Sequence, residues 1–165
     1  MSSNEKQLDL EENNGKGLFL FKMKANDNHL FAINVLSIRE VIARPKFYRV
    51  PGYPSAIEGI IHLRGQVVSV IDLQKAMNGG AMAEEDKNFV ILIERDNDVF
   101  GLLIGGLAHI VQIQEKDLLE APRILGKEHF VDAMLQINNE ENEQKQTVNI
   151  LNVNKILDNV IGDDD

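Results

Sequence analysis

The chain has 165 residues, 44% of them hydrophobic and 26% charged, with a formal net charge of −9 and no cysteine. The acidic balance argues against a face built for nucleic-acid phosphates or for an anionic membrane surface, and the absence of cysteine removes disulfides, thiol nucleophiles and thiolate metal sites. Only 5% of the residues are aromatic and none is tryptophan, so the core must come from Ile, Leu and Val, whose branched side chains favour strands.

Residues Met1–Lys16 are polar and read as a flexible tail, without the apolar segment of a signal peptide. No apolar run approaches a membrane span, and the expectation is a soluble cytoplasmic protein. Leu18–Met23 and Leu30–Val35 read as strands about a turn at Ala25–His29. Next, Val35, Ile38, Val41 and Ile42 are spaced for a helical turn as well as for a strand. That spacing makes Ile38, Val41 and Ile42 core positions and turns Glu40 outward. Pro45, Pro51 and Pro54 then impose an extended segment, in which Arg44–Arg49 with Lys46 is the one candidate basic patch.

Two apolar runs, Ile57–Leu63 and Gln66–Leu73, flank Arg64-Gly65 and predict a tight hairpin with a charged tip. Gly65 supplies the positive φ, and Gln74–Met77 is helix-like. Gly79–Asp86 reads as a linker. Beyond it the plan recurs. Phe89–Ile93 and Val99–Ile104 are strands about Arg95–Asp98, and Ile33, Val35, Ile38, Val41 and Ile42 align with Leu102, Ile104, Leu107, Ile110 and Val111. Ile57–Ile61 resembles Val131–Leu135, and Val67–Met77 matches Thr147–Leu157 with a shared (Asp/Asn)-(Leu/Val)-(Gln/Asn)-Lys ending. The matches keep their order, which indicates an internal duplication of a small β-unit. Short strands at regular spacing suggest a small barrel for each copy. The first unit spans about 17–78 and the second about 87–161, and strands are open to exchange between them. Residues 162–165 form an acidic tail.

The copies differ at the hairpin tip. Where the first has Arg64-Gly65, the second has Asn138–Gln146, an acidic run read as a solvated loop. The fold unit therefore does not itself demand the arginine. Arg64 is either an exposed solubilising residue or a partner contact, arginine being enriched at interface hot spots. The four histidines, at 29, 62, 109 and 129, lack metal-ligand spacing and read as surface residues. Glu84-Glu85-Asp86 reads as a solvated charge run. Asp72, embedded in apolar sequence, is a candidate base or a helix cap, and its counterpart Asn152 favours the cap. No nucleophile elbow, phosphate loop or dinucleotide fingerprint occurs. The expectation is a non-enzyme with no cofactor and no metal.

Glu58–Leu73, E-G-I-I-H-L-R-G-Q-V-V-S-V-I-D-L, resembles the signature of the CheW-like domain family, and Phe31–Ile42 and Arg49–Gly59 resemble its upstream motifs. His62 and Ser69 stand where Asn and Pro are usual. The resemblance covers about Gly17 to Ile161. It implies an all-β fold with short helices, made of two small five-stranded barrels sharing a hydrophobic core. It implies a non-enzymatic adaptor, recruited to membrane-associated arrays, that joins the cytoplasmic tip of a chemoreceptor to a CheA-type histidine kinase. Neither nucleic acid nor direct membrane insertion is expected. By position, Ile38, Glu40, Arg64, Gly65 and Phe89 are the implied receptor contacts, with Phe89 on the groove between the barrels, and Val41 lies at the kinase contact. The alternatives are an accessory scaffold of a non-motility receptor–kinase pathway and a small-barrel ligand-binding protein outside signalling.

Overall fold

The computed structural model describes residues 16–122, 130–139 and 141–162. The expected tail up to residue 15, His129 and the last three residues of the acidic tail lie outside them. Lys16, assigned to the tail, already belongs to β1 (Lys16–Lys22), and Gly162 ends the last helix.

The other strands are β2 (Leu30–Asn34), β3 (Ile38–Ala43), β4 (Ile57–Leu63), β5 (Gln66–Asp72), β6 (Phe89–Arg95), β7 (Asp98–Ile104), β8 (Gly106–Ile113), β9 (Leu119–Glu120), β10 (Val131–Asn138) and β11 (Lys145–Leu151). Helices α1 (Leu73–Ala76) and α2 (Val153–Ile161) follow β5 and β11. A single 3₁₀ turn, Val35–Ser37, separates β2 from β3. The ambiguous spacing of Val35 to Ile42 thus resolves mostly as strand. A bulge between Ile38 and Glu40 in the β3–β6 pairing puts residues three apart on one face, and that mimics helical period.

One sheet runs β8-β1-β2-β11-β10-β9 and the other β3-β6-β7-β5-β4. The first has six strands rather than the expected five, because the two-residue β9 extends its edge. Without β9 the two sheets match strand for strand, in the order of the sequence repeat. Each also has a single parallel pair, β2 with β11 and β5 with β7. Each sheet is therefore assembled from both halves of the chain: β1 and β2 complete the sheet of β8–β11, while β6 and β7 complete the sheet of β3–β5.

Alternation along the strands fills three cores. Leu18 and Leu20 of β1, with Leu30, Ala32, Leu135 and Val148, pack inside the first sheet. Val90 and Leu92 of β6, with Ile61, Val68, Val70 and Leu103, pack inside the second. The opposite faces of the same strands meet between the sheets, where Phe21 and Ile33 pack with Ile71, Ile91, Ile93 and Leu102, closed by Ile156, Leu157 and Val160 of α2. A strand buried on both faces reads as a continuous apolar run, as β6 does. Gly105 lies where the halves cross. A Cβ there would stand 2.5 Å from the Met23 carbonyl oxygen and 2.8 Å from the Ala25 nitrogen.

Candidate functional site

The hairpin tip is the centre of the site. Leu63 pairs with Gln66, leaving Arg64 and Gly65 as a two-residue loop with φ of 49° and 80°. Both values are positive, the mark of a type I′ turn. The sequence reading gave this conformation to Gly65 alone, yet Arg64 shares it. The β6–β7 hairpin turns in the same way through Asp96 and Asn97, at 52° and 71°. Asn and Asp enter the left-handed region readily and arginine does not. The turn itself gives no reason for an arginine at position 64.

Its side chain reaches Glu40, 24 residues away, on β3. Nη1 donates to Oε1 at 2.5 Å and Nη2 to Oε2 at 2.7 Å, a bidentate pair. Strands β3 and β4 are the two edges of their sheet, and its curl brings them together. Tyr48, just past β3, also bridges to Ile60 of β4. The Arg64 side chain is 69% exposed and that of Glu40 31%, so the pair presents its guanidinium outward. Glu40 was expected to face freely outward. It is half-buried, and its register partner Leu92 puts it on the face that lines the sheet's own core. The hydrogen bonds from Arg64 hold the Glu40 carboxyl below its ordinary pKa, and those same bonds hold Arg64 above its own. Such an exposed pair fixes geometry more than it stabilises the fold.

The other expected contacts lie on the opposite face of β3. Ile38 and Val41 are half-buried against the core shared by the sheets, while Ile42 packs into the second sheet's own core. None of the three is fully buried, as befits an edge strand. Phe89 begins β6 opposite Ala43 and is half-buried on the shared core as well. The structure therefore joins Glu40 to Arg64 and Gly65, and sets Ile38, Val41 and Phe89 along the seam between the sheets.

Sequence reasoning missed the neighbourhood of Ile38. Leu36, in the 3₁₀ turn before β3, is 91% exposed. It borders a cavity of about 440 Å³ floored by Ile93, Leu151 and Leu157 and rimmed by Arg95 and Asp132. Arg95 donates to Asp158 at 2.7 Å and clasps α2 to β6. Leu36 sits within an apolar run, and nothing local in the sequence separates an exposed leucine from a buried one.

The remaining candidates are structural. Asp72 is 1% exposed. One carboxylate oxygen caps α1 by accepting the Lys75 N–H at 3.0 Å, and the other accepts the Met82 N–H at 2.9 Å. Asn152 caps α2 in the same way, accepting from Lys155 at 3.0 Å. The basic patch is largely neutralised: Arg44 pairs with Glu84, Arg49 with Glu58, and Lys46 lies over the Tyr48 ring. Lys87 joins both carboxylates, at 2.9 Å from Glu58 and 3.2 Å from Glu84. Burial works against its charge, but the bonds to Glu58 and Glu84 prevail and hold its pKa above the ordinary value. Asp86, placed in a solvated run, is instead buried and accepts the Ala25 N–H at 2.9 Å. Among the histidines, His62 stacks edge-on to Tyr48, and His29 pairs with Asp27 in its turn.

Comparison with known proteins agrees with this architecture. The CheW-like domain model matches residues 18–160. Chemotaxis protein CheW of Bacillus subtilis is 28% identical over 144 residues, covering 87% of this chain and 88% of that protein. Chemotaxis protein CheW of Helicobacter pylori is 30% identical over 129 residues, covering 77% and 74%. The crystal structure of the scaffolding protein TtCheW from Thermoanaerobacter tengcongensis superposes with a TM-score of 0.72 at 22% identity, over 90% of this chain and 91% of that one, and shares the fold. A two-sheet β fold duplicated within one chain, with a model match over nearly its whole length, makes this protein a member of the CheW-like domain family, the non-enzymatic scaffolds of chemotaxis.

Proposed function

We propose that this chain couples a chemoreceptor to a CheA-type histidine kinase, with Arg64 and Glu40 as the receptor-specific contact. The observation that carries this reading is the left-handed backbone of Arg64 in a turn that asparagine or glycine would form with less strain. An arginine there, with its guanidinium oriented by Glu40 and exposed, supports a partner contact over a role in the hairpin. Leu36, exposed in the turn before Ile38, offers an apolar contact for a helix face, and the adjoining cavity adds a largely polar wall of Asn34, Glu94, Arg95 and Asp132. Arg64 and Glu40 supply register and selectivity. Val41 and Phe89, further along the seam, are the remaining contacts, with Val41 toward the kinase. The membrane connection in this reading comes through the receptor; no described helix is long and apolar enough to cross a bilayer.

The test is a pull-down from cytoplasmic and membrane fractions with wild type, Arg64→Ala and the charge swap Glu40→Arg/Arg64→Glu. Wild type recovers receptor and kinase. Arg64→Ala loses the receptor and keeps the kinase. The swap keeps an ion pair but fails to regain the receptor. A swap that restores receptor binding fully would mean that the pair only braces the hairpin.

A further inference from the structure

Helix α1 ends differently from its counterpart in the repeat. Val67–Met77 matches Thr147–Leu157, so Asn78 stands where Asp158 stands in the second copy. There α2 runs on to Ile161, and Asp158 pairs with Arg95. In the first copy the helix stops at Ala76 and the chain turns at Asn78, whose φ is 65°. The Asn78 N–H donates to the Lys75 carbonyl at 3.0 Å and the Gly79 N–H to the Gln74 carbonyl at 2.9 Å. These are the paired bonds of a Schellman cap, with Asn78 as its left-handed residue.

The cap dictates both residue types. A left-handed position takes glycine or asparagine. At the next position a Cβ would stand 3.1 Å from the Gln74 carbonyl oxygen and 3.2 Å from Gln74 Cγ, so the turn closes this tightly only around glycine. The Gln74 side chain then clasps the outgoing segment, with Nε2 facing the carbonyl oxygens of Gly79, Gly80 and Ala81 at 3.2, 3.1 and 3.2 Å. The product is an exposed Asn-Gly pair. Such a pair is chemically reactive, because glycine sets no Cβ between its backbone nitrogen and the asparagine amide.

We infer that Asn78 is a deamidation site held shut by this cap. In the reaction the Gly79 nitrogen attacks Asn78 Cγ. A new N–C bond forms, the bond from Cγ to the amide nitrogen breaks, and ammonia leaves with the Gly79 proton. Water then opens the resulting succinimide at either carbonyl, giving aspartate or isoaspartate, with no change of oxidation state. While the cap is closed, the Gly79 N–H is engaged by Gln74 and the Asn78 backbone is fixed, so the reaction waits on local opening of the turn. Isoaspartate lengthens the main chain by one carbon, and the two cap bonds then no longer close together. The modified chain therefore keeps the turn open. Its effect reaches the shared core, because Ala76 is buried there and its carbonyl accepts from Asn159 of α2 at 2.9 Å.

The experiment is peptide-mapping mass spectrometry of the full chain aged in warm, mildly alkaline buffer, with and without unfolding urea. Deamidation at Asn78 should be slower in the folded chain by about tenfold or more. Gln74→Ala keeps a helix-forming residue, removes the clasp, and should raise the folded rate by about threefold or more. Asn78→Gly suits the left-handed position and should remove the signal from this peptide. The other Asn-Gly pair, Asn14-Gly15, lies outside the described residues and gives the reference rate in the same urea sample. Equal rates in the folded and unfolded chain, no product at Asn78 in urea, or a folded rate indifferent to Gln74→Ala would overturn the inference.

Discussion

Replacing Asp72 with alanine tests how much of the fold rests on a single buried carboxylate. Its two oxygens take two different backbone donors, at the start of α1 and in the linker at Met82. Alanine removes the helix cap, a loss of about 1 kcal/mol. It also strands the buried Met82 N–H, which costs about 1–3 kcal/mol. The sum is about 3 kcal/mol, or about 9 °C in Tm for a chain of this size. Asp72→Asn keeps one acceptor and turns an amide donor toward the other N–H, so about 1–2 kcal/mol is expected. At the matching position, Asn152 accepts one N–H and donates to Asp132 at 3.2 Å in an exposed setting. Asn152→Ala should therefore cost only about 1 kcal/mol, the value of the cap. Urea unfolding followed by circular dichroism measures all three, with slopes compared to confirm an unchanged unfolded state. If Asp72→Ala were no worse than Asn152→Ala, the second hydrogen bond would carry no energy and the reasoning would fail.

Other outcomes follow from the same geometry. Gly105→Ala drives a Cβ into backbone of the Met23–Ala25 segment and should cost about 3 kcal/mol or more, or prevent soluble expression; a stability near wild type would refute the close packing. Lys87→Met removes the cation shared by Glu58 and Glu84, which keep Arg49 and Arg44 as partners, and should destabilise by about 1–2 kcal/mol, while adding Glu58→Gln should recover part of the loss in a double-mutant cycle. The Glu40 carboxyl, held down by the hydrogen bonds from Arg64, should titrate below the ordinary glutamate range in wild type and return toward it in Arg64→Ala. A depressed folded pKa gives a stabilisation present above the unfolded value and lost as pH falls through the folded one, so the pair should open only in acid, below the ordinary carboxylate range. Carboxyl NMR of Glu40 would show this, and a midpoint unmoved by Arg64→Ala would contradict it.

The hairpin of β4 and β5 was legible because alternation, β-branched residues and a turn glycine all agreed. The duplication was legible because order survived where identity did not. The Arg64–Glu40 pair was not, because the curl of a whole sheet makes it and no local pattern records which edge strands meet. The β3 bulge left the reading of Val35 to Ile42 open between helix and strand, since one extra residue converts a period of two into a spacing of three. The burial of Asp86 was hidden too: in sequence it belongs to an acidic run, and only the fold supplies the Ala25 N–H that keeps it inside.

The assembly of each sheet from both halves has a consequence for cutting and joining. Neither half carries a complete sheet, so residues 16–78 or 84–162 alone would expose strand edges and the apolar faces of Phe21 or Ile91. Severed in the segment between α1 and β6, the two pieces should be unfolded apart and regain structure when mixed. A single repeat would find its missing strands only in a second copy of itself, so the intramolecular pairing has the geometry of an intertwined dimer joined into one chain. Within one chain the two corners need not match: one carries Arg64 at a two-residue hairpin tip and the other a longer acidic loop.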